Sequence, residues 1–258
     1  MNKVTRLKYY IESLCIYDFE DDDVFSALYD LLCDDEEDTV ALQSYFFKEL
    51  AKSESLKRHI SRLILTNDNI FTKAACAGKV NQLSIAVINA VKSDLAKLEE
   101  IASLTAQDIL ADIDDEDIKE ILLTLPGWEV GKPLAPLDSH WDRQLDELIK
   151  YHRENGYGIY AKNIAFTWRD EEITPVNSID PIRLTDLKNY ELQRNKVIDN
   201  TESFIAGHPA NNVLLYGDRG TGKSSTVHAI LNEYWQKGLR MIEIPKSAVA
   251  DLSLIREQ

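Results

Sequence analysis

Gly217-Asp218-Arg219-Gly220-Thr221-Gly222-Lys223-Ser224 fits the phosphate-loop pattern G-x-x-x-x-G-K-[ST], and its flanks suit a strand running into a helix. Val213-Leu214-Leu215-Tyr216 is a short apolar run of the kind that forms a buried central strand. Beyond the loop, Ser225 to Lys237 carries Val227, Ile230, Leu231 and Tyr234 at helical spacing. Glycines let the backbone approach an anion and adopt positive φ, so that successive N–H groups and the next helix N-terminus face it. Lys223 would reach the β/γ-phosphates of a nucleotide and the Ser224 hydroxyl would bind Mg²⁺. Asp218, Arg219 and Thr221 complete the loop as candidate nucleotide-binding residues; no catalytic residue is assigned.

Charge divides the chain. Of its 44 acidic and 29 basic residues, 30 acidic and 16 basic lie at or before Lys150, so almost all of the net charge of −15 is there. Such a segment repels a phosphate backbone, which argues against nucleic acid as a partner. Cys15, Cys33 and Cys76 are widely spaced and form no C-x-x-C, so neither a disulfide framework nor a zinc site is indicated. No apolar stretch is long enough to cross a bilayer, and Lys3, Arg6 and Lys8 lead into no signal-peptide core. A cytoplasmic protein without membrane contact is the expectation.

Periodicity from Val4 to about Leu125 is helical, which predicts an all-helical domain over 1–130. Asp68 or Asn69 is a candidate cap with Gly78 as the stop, and Gln82–Ala102 is the longest candidate helix. The acidic runs Glu20–Asp23, Asp34–Asp38 and Asp112–Asp117 lack the alternating ligands and central Gly of a calcium loop. They read as solvated turns and helix N-termini, where carboxylates favour the helix dipole. Residues 131–176 are expected to form a linker helix, Ser139–Asn155, and a hairpin pairing Ile159–Trp168 with Glu172–Val176 across Arg169-Asp170-Glu171. Trp128, Trp141 and Trp168 are expected to pack between two domains. Residues 177–258 hold the loop, and Leu239–Ile244 is predicted as a second strand joined to the first by a parallel crossover.

From Leu184-Thr185-Asp186-Leu187 through Tyr190-Glu191-Leu192-Gln193, Asn200-Thr201, Ala210-Asn211-Asn212 and the loop to Gly238-Leu239-Arg240, the sequence resembles a bacterial AAA+ ATP-binding family. That family is catalogued as a domain of unknown function, number eight-one-five. The resemblance runs from roughly Ile173 onward. It implies an AAA+ P-loop fold, ATP with Mg²⁺ as ligands, and self-assembly into rings. It passes the loop roles to Gly217, Gly220, Gly222, Lys223, Ser224 and Ser225, and makes Leu187 and Tyr190 candidates for adenine contact; Asn189 stands where Gly is expected. An AAA+ module also needs a Walker B strand, a sensor, an arginine finger and a helical lid. Asp251–Ile255 is too polar for a Walker B strand, so the chain is expected to be the N-terminal part of a longer protein or a truncated product.

The fold class expected is α plus α/β: a helical domain followed by the first part of a parallel P-loop core. The function expected is binding of Mg-ATP, with hydrolysis driving a conformational change in a complete ATPase, and a protein partner for the acidic domain. The alternatives are another P-loop NTPase or kinase, or a non-enzymatic interaction module. Competition between ATP and GTP separates the first of these from the AAA+ reading.

Overall fold

The computed structural model describes residues 1–34, 38–53, 55–176 and 178–256. They divide into two compact units, 1–153 and 154–258.

The first unit is helical: α1 Lys3–Glu12, α2 Asp23–Cys33, α3 Thr39–Leu50, α4 Leu56–Leu65, α5 Ile70–Cys76, α6 Ile85–Ile101, α7 Ala106–Leu110, α8 Glu116–Leu122 and most of α9 Leu145–Asn155. Side-chain caps start α1, α2 and α5 to α8. Asn69 accepts from Phe71 and Thr72 while Thr72 reaches back to the Asn69 amide, a reciprocal capping box. Ser84 caps α6, which begins later than expected because Val80–Gln82 forms a 3-10 turn. The acidic runs serve as helix starts: Asp22 caps α2 with Asp23 in its first turn, and Asp115 caps α8 with Glu116 and Asp117 behind it. The third run lies partly outside the described residues, but its Asp34 accepts from the Thr39 hydroxyl.

Apolar stripes from these helices merge into one core, in which Leu28, Phe46, Ile64, Leu95 and Leu98 are fully buried. Leu137, Trp141 and Leu148 belong to the same core, so the stretch after Val130 packs into this unit. Trp128 stacks edge-on against Phe46 with centroids 4.8 Å apart and donates its indole N–H to Leu104 O. Glu99 receives the amides of His140 and Trp141, holding the 3-10 turn Trp141–Arg143. Buried Asp94 accepts the amides of Cys15, Ile16 and Tyr17 on a single oxygen, which fixes the loop after α1.

The second unit holds α10 Gly158–Lys162, β1 Ala165–Arg169, β2 Glu172–Pro175, α11 Glu191–Ile205, α12 Lys223–Tyr234, β3 Met241–Glu243 and α13 Leu252–Ile255. The sheet is mixed, in the order β2-β1-β3. β1 and β2 form a hairpin where one was expected, with Phe166 opposite Pro175 and Arg169, expected in the turn, opposite Glu172. Asp170 and Glu171 at its tip both have positive φ, the requirement of a two-residue turn whose twist matches the strands. β3 pairs parallel to β1, Phe166 beside Ile242. Two expectations are corrected. Val213–Tyr216 is not a buried strand: it pairs with no described strand, and Leu214 and Tyr216 are more than four-fifths exposed. An apolar run becomes a strand only when neighbours take its backbone groups, and β3, its expected crossover partner, takes β1 instead. The first hairpin strand is also shorter than expected, because Ile159–Lys162 lies in the short helix α10 and the strand starts only at Ala165. Trp168 on that strand is buried, with its indole N–H on Asp251 Oδ2 at 3.0 Å.

Candidate functional site

The loop Gly217–Gly222 turns tightly into α12. Gly217, Gly220 and Gly222 have φ of +142°, +83° and +80°, values that side-chain-bearing residues rarely adopt. Around Gly220 and Gly222 the space is open, with nothing within 4 Å of where a Cβ would stand. The Thr221 hydroxyl donates to Asp218 O at 2.9 Å and closes the turn. Lys223, the first residue of α12, folds its ammonium back over the loop, donating to Gly217 O at 2.9 Å and Asp218 O at 2.6 Å. The amide and hydroxyl of Thr226 both return to Gly222 O, fixing the first helical turn. Ser224 is exposed in that turn, and Asp218 and Arg219 are exposed on the loop.

No backbone amide from Gly217 to Ser225 donates to another protein group among the described residues. A helix N-terminus leaves such donors unused and carries a partial positive charge. With the Lys223 ammonium they are donors of the kind an anion can take up.

The approach to the loop is held by residues that periodicity does not single out. Asn200 on α11 clasps Asn211 both ways, donating to its carbonyl at 2.9 Å and accepting its amide at 2.8 Å. Tyr234 on α12 donates to Glu202 on α11 at 2.8 Å; burial and that carboxylate push the phenol pKa up to about 12. Asn232 donates to the carbonyls of Asp180 and Ile182, tying the preceding segment to α12. Two-way amide pairs and single hydrogen bonds leave no periodic trace, so only the clustering of Asn and Glu hinted at them.

Leu187 and Tyr190 flank a sharp bend. Asn189 and Tyr190 have φ of +67° and +56°, and Arg194 fixes the bend by donating to Leu187 O at 2.7 Å. The positive φ explains why Gly is the residue expected at 189, and Asn is among the side chains that adopt this conformation most readily. Leu187 is half-buried and Tyr190 is exposed. Asp251 lies in a 3-10 turn leading into α13, as befits a segment too polar for a Walker B strand. Among the described residues no cluster of His, Cys, Asp or Glu has the arrangement of a metal centre, and no helix is long and apolar enough to cross a membrane.

Residues 161–258 match the family described as a protein of unknown function, DUF815. The chain is also similar to the replication factor C large subunit of Staphylothermus marinus, with 37% identity over 68 residues. That stretch is 26% of this chain and 15% of the relative, so the chain spans only a small part of that protein's length. No solved structure matches. These matches bear out the resemblance read from the sequence, residues 161–258 being the part that is similar to the DUF815 family.

Proposed function

We propose that the second unit is the nucleotide-binding part of an AAA+ ATPase and that the loop Gly217–Ser224 grips the phosphates of Mg-ATP. The reading rests chiefly on one observation, the row of unused amides from Gly217 to Ser225 beneath the Lys223 ammonium. In this reading Lys223 exchanges its two carbonyl partners for β- and γ-phosphate oxygens, the exposed Ser224 hydroxyl faces the cation, and Thr221 and Ser225 contribute amides. Mg²⁺, when bound, would neutralise charge on the β- and γ-oxygens. Leu187 and Tyr190 would contact adenine from the bend before α11. For the AAA+ type as a whole, cleavage of the β–γ bond would drive a conformational change, with subunits sharing nucleotide sites. A cytoplasmic setting goes with this reading, as does the lack of a disulfide among Cys15, Cys33 and Cys76.

Equilibrium titration with a fluorescent ATP analogue and Mg²⁺ tests the proposal. Lys223→Ala removes a charge-assisted contact of about 1.5–3 kcal/mol, so affinity should fall roughly 10- to 100-fold. Equal affinity of both proteins would remove the assigned role. GTP displacing the analogue better than ATP would move the protein to another P-loop class.

A further inference from the structure

In the first unit, the end of α1, the following loop and the exposed side of α2 enclose a groove of about 620 Å³. Its apolar floor includes Ile11, Leu14 and Ile16, half-buried side chains resting on the core. Its acidic rim is formed by Glu12, Asp18, Glu20 and Asp30, all exposed, and no Lys or Arg lines it. A cleft walled by low-dielectric side chains and edged by one sign of charge concentrates its field and attracts the opposite sign. Tyr17 and Phe19, both buried in the core, complete the apolar wall of the groove.

We propose that this groove docks a cationic amphipathic peptide segment of a partner protein, with apolar side chains on the floor and Lys or Arg along the rim. The mode is that of a helix laid in a groove, with anchors at helical spacing. A metal ion or a polyamine would use the carboxylates and leave the apolar floor unexplained. The inference is independent of the nucleotide loop.

The test is fluorescence anisotropy of the full chain with a labelled Leu/Lys peptide of about 14 residues, long enough for a marginal helix, its leucines on one face. Because the whole unit is acidic, the decisive comparison is between two triple variants of equal charge. Asp18→Asn/Glu20→Gln/Asp30→Asn should weaken binding at least tenfold, whereas Asp117→Asn/Glu120→Gln/Glu147→Gln should change it less than about twofold. Ile16→Gln, at constant charge, should also weaken binding. Should the groove triple fail to fold, Ile16→Gln decides the matter. Equal losses in both triples, an all-Lys peptide or spermine binding as tightly as the Leu/Lys peptide, or wild-type affinity in Ile16→Gln would overturn the proposal.

Discussion

Asp22 does two jobs in the first unit. Its Oδ1 caps α2 by accepting the Phe25 amide at 2.9 Å and meets His59 Nε2 on α4 at 2.7 Å, while the other His59 nitrogen faces Ser53 Oγ. Burial raises the pKa of this carboxyl, but the His59 hydrogen bond and the Phe25 amide outweigh it and hold the group below its ordinary 3.8. A carboxyl whose folded pKa is depressed stabilises the fold fully above its unfolded pKa and loses that contribution as pH falls through the folded value. Asp22→Asn is therefore expected to cost stability at pH 7 and to flatten the loss of stability below about pH 4. Urea melts at a series of pH values measure both, and parallel acid limbs for the two proteins would contradict the assignment. Asp22 sits in an acidic run that is legible in sequence as a helix start, yet its bond to His59 is not: 37 residues separate them and no periodicity connects them.

At the scale of elements, the hairpin tip is the most strained feature of the small sheet. Glu171 sits at φ +62°, where an L side chain costs about 1–2 kcal/mol and where glycine is the preferred residue of such a turn. Glu171→Gly should stabilise the β1–β2 hairpin by about 0.5–1 kcal/mol after the extra chain entropy of glycine is subtracted. Slower amide exchange of β1 residues would report it, and Glu171→Ala, which keeps a Cβ, should give no such gain. The hairpin was legible because β-branched and aromatic residues flank a polar turn. The helices of the first unit were legible for the same kind of reason: Val91, Leu95 and Leu98 repeat at helical spacing and are all buried. Val213–Tyr216 was misread because an apolar run specifies a wish for burial, while the hydrogen-bonding neighbours that make a strand are set by the rest of the sheet. Val227 shows the same on α12, being 42% exposed although it continues the stripe of Ile230, Leu231 and Tyr234. The positive φ of Gly217, Gly220 and Gly222 was legible because glycine spacing dictates local backbone shape without tertiary help, whereas the Asn200–Asn211 clasp before the loop was not.

For the whole molecule, the two units carry different physics. The first is a continuous helical core under an acidic surface; the second buries Phe166 and Trp168 on β1 and Ile230 on α12 and leaves Leu192, Phe204, Leu214 and Tyr216 exposed. An apolar surface of this kind marks places where further structure packs or where chains associate, which agrees with the self-assembly in the AAA+ proposal. Nucleotide should therefore act on one unit only. Hydrogen exchange measured along the full chain, with and without Mg-ATP, addresses this most directly, because the amides from Gly217 to Ser225 make no hydrogen bond among the described residues and should exchange fast until phosphate oxygens accept them. The account predicts strong protection of this stretch by Mg-ATP, lost in Lys223→Ala, with α1 to α8 unchanged. Loop amides exchanging at the same rate with saturating nucleotide as without it would contradict the account.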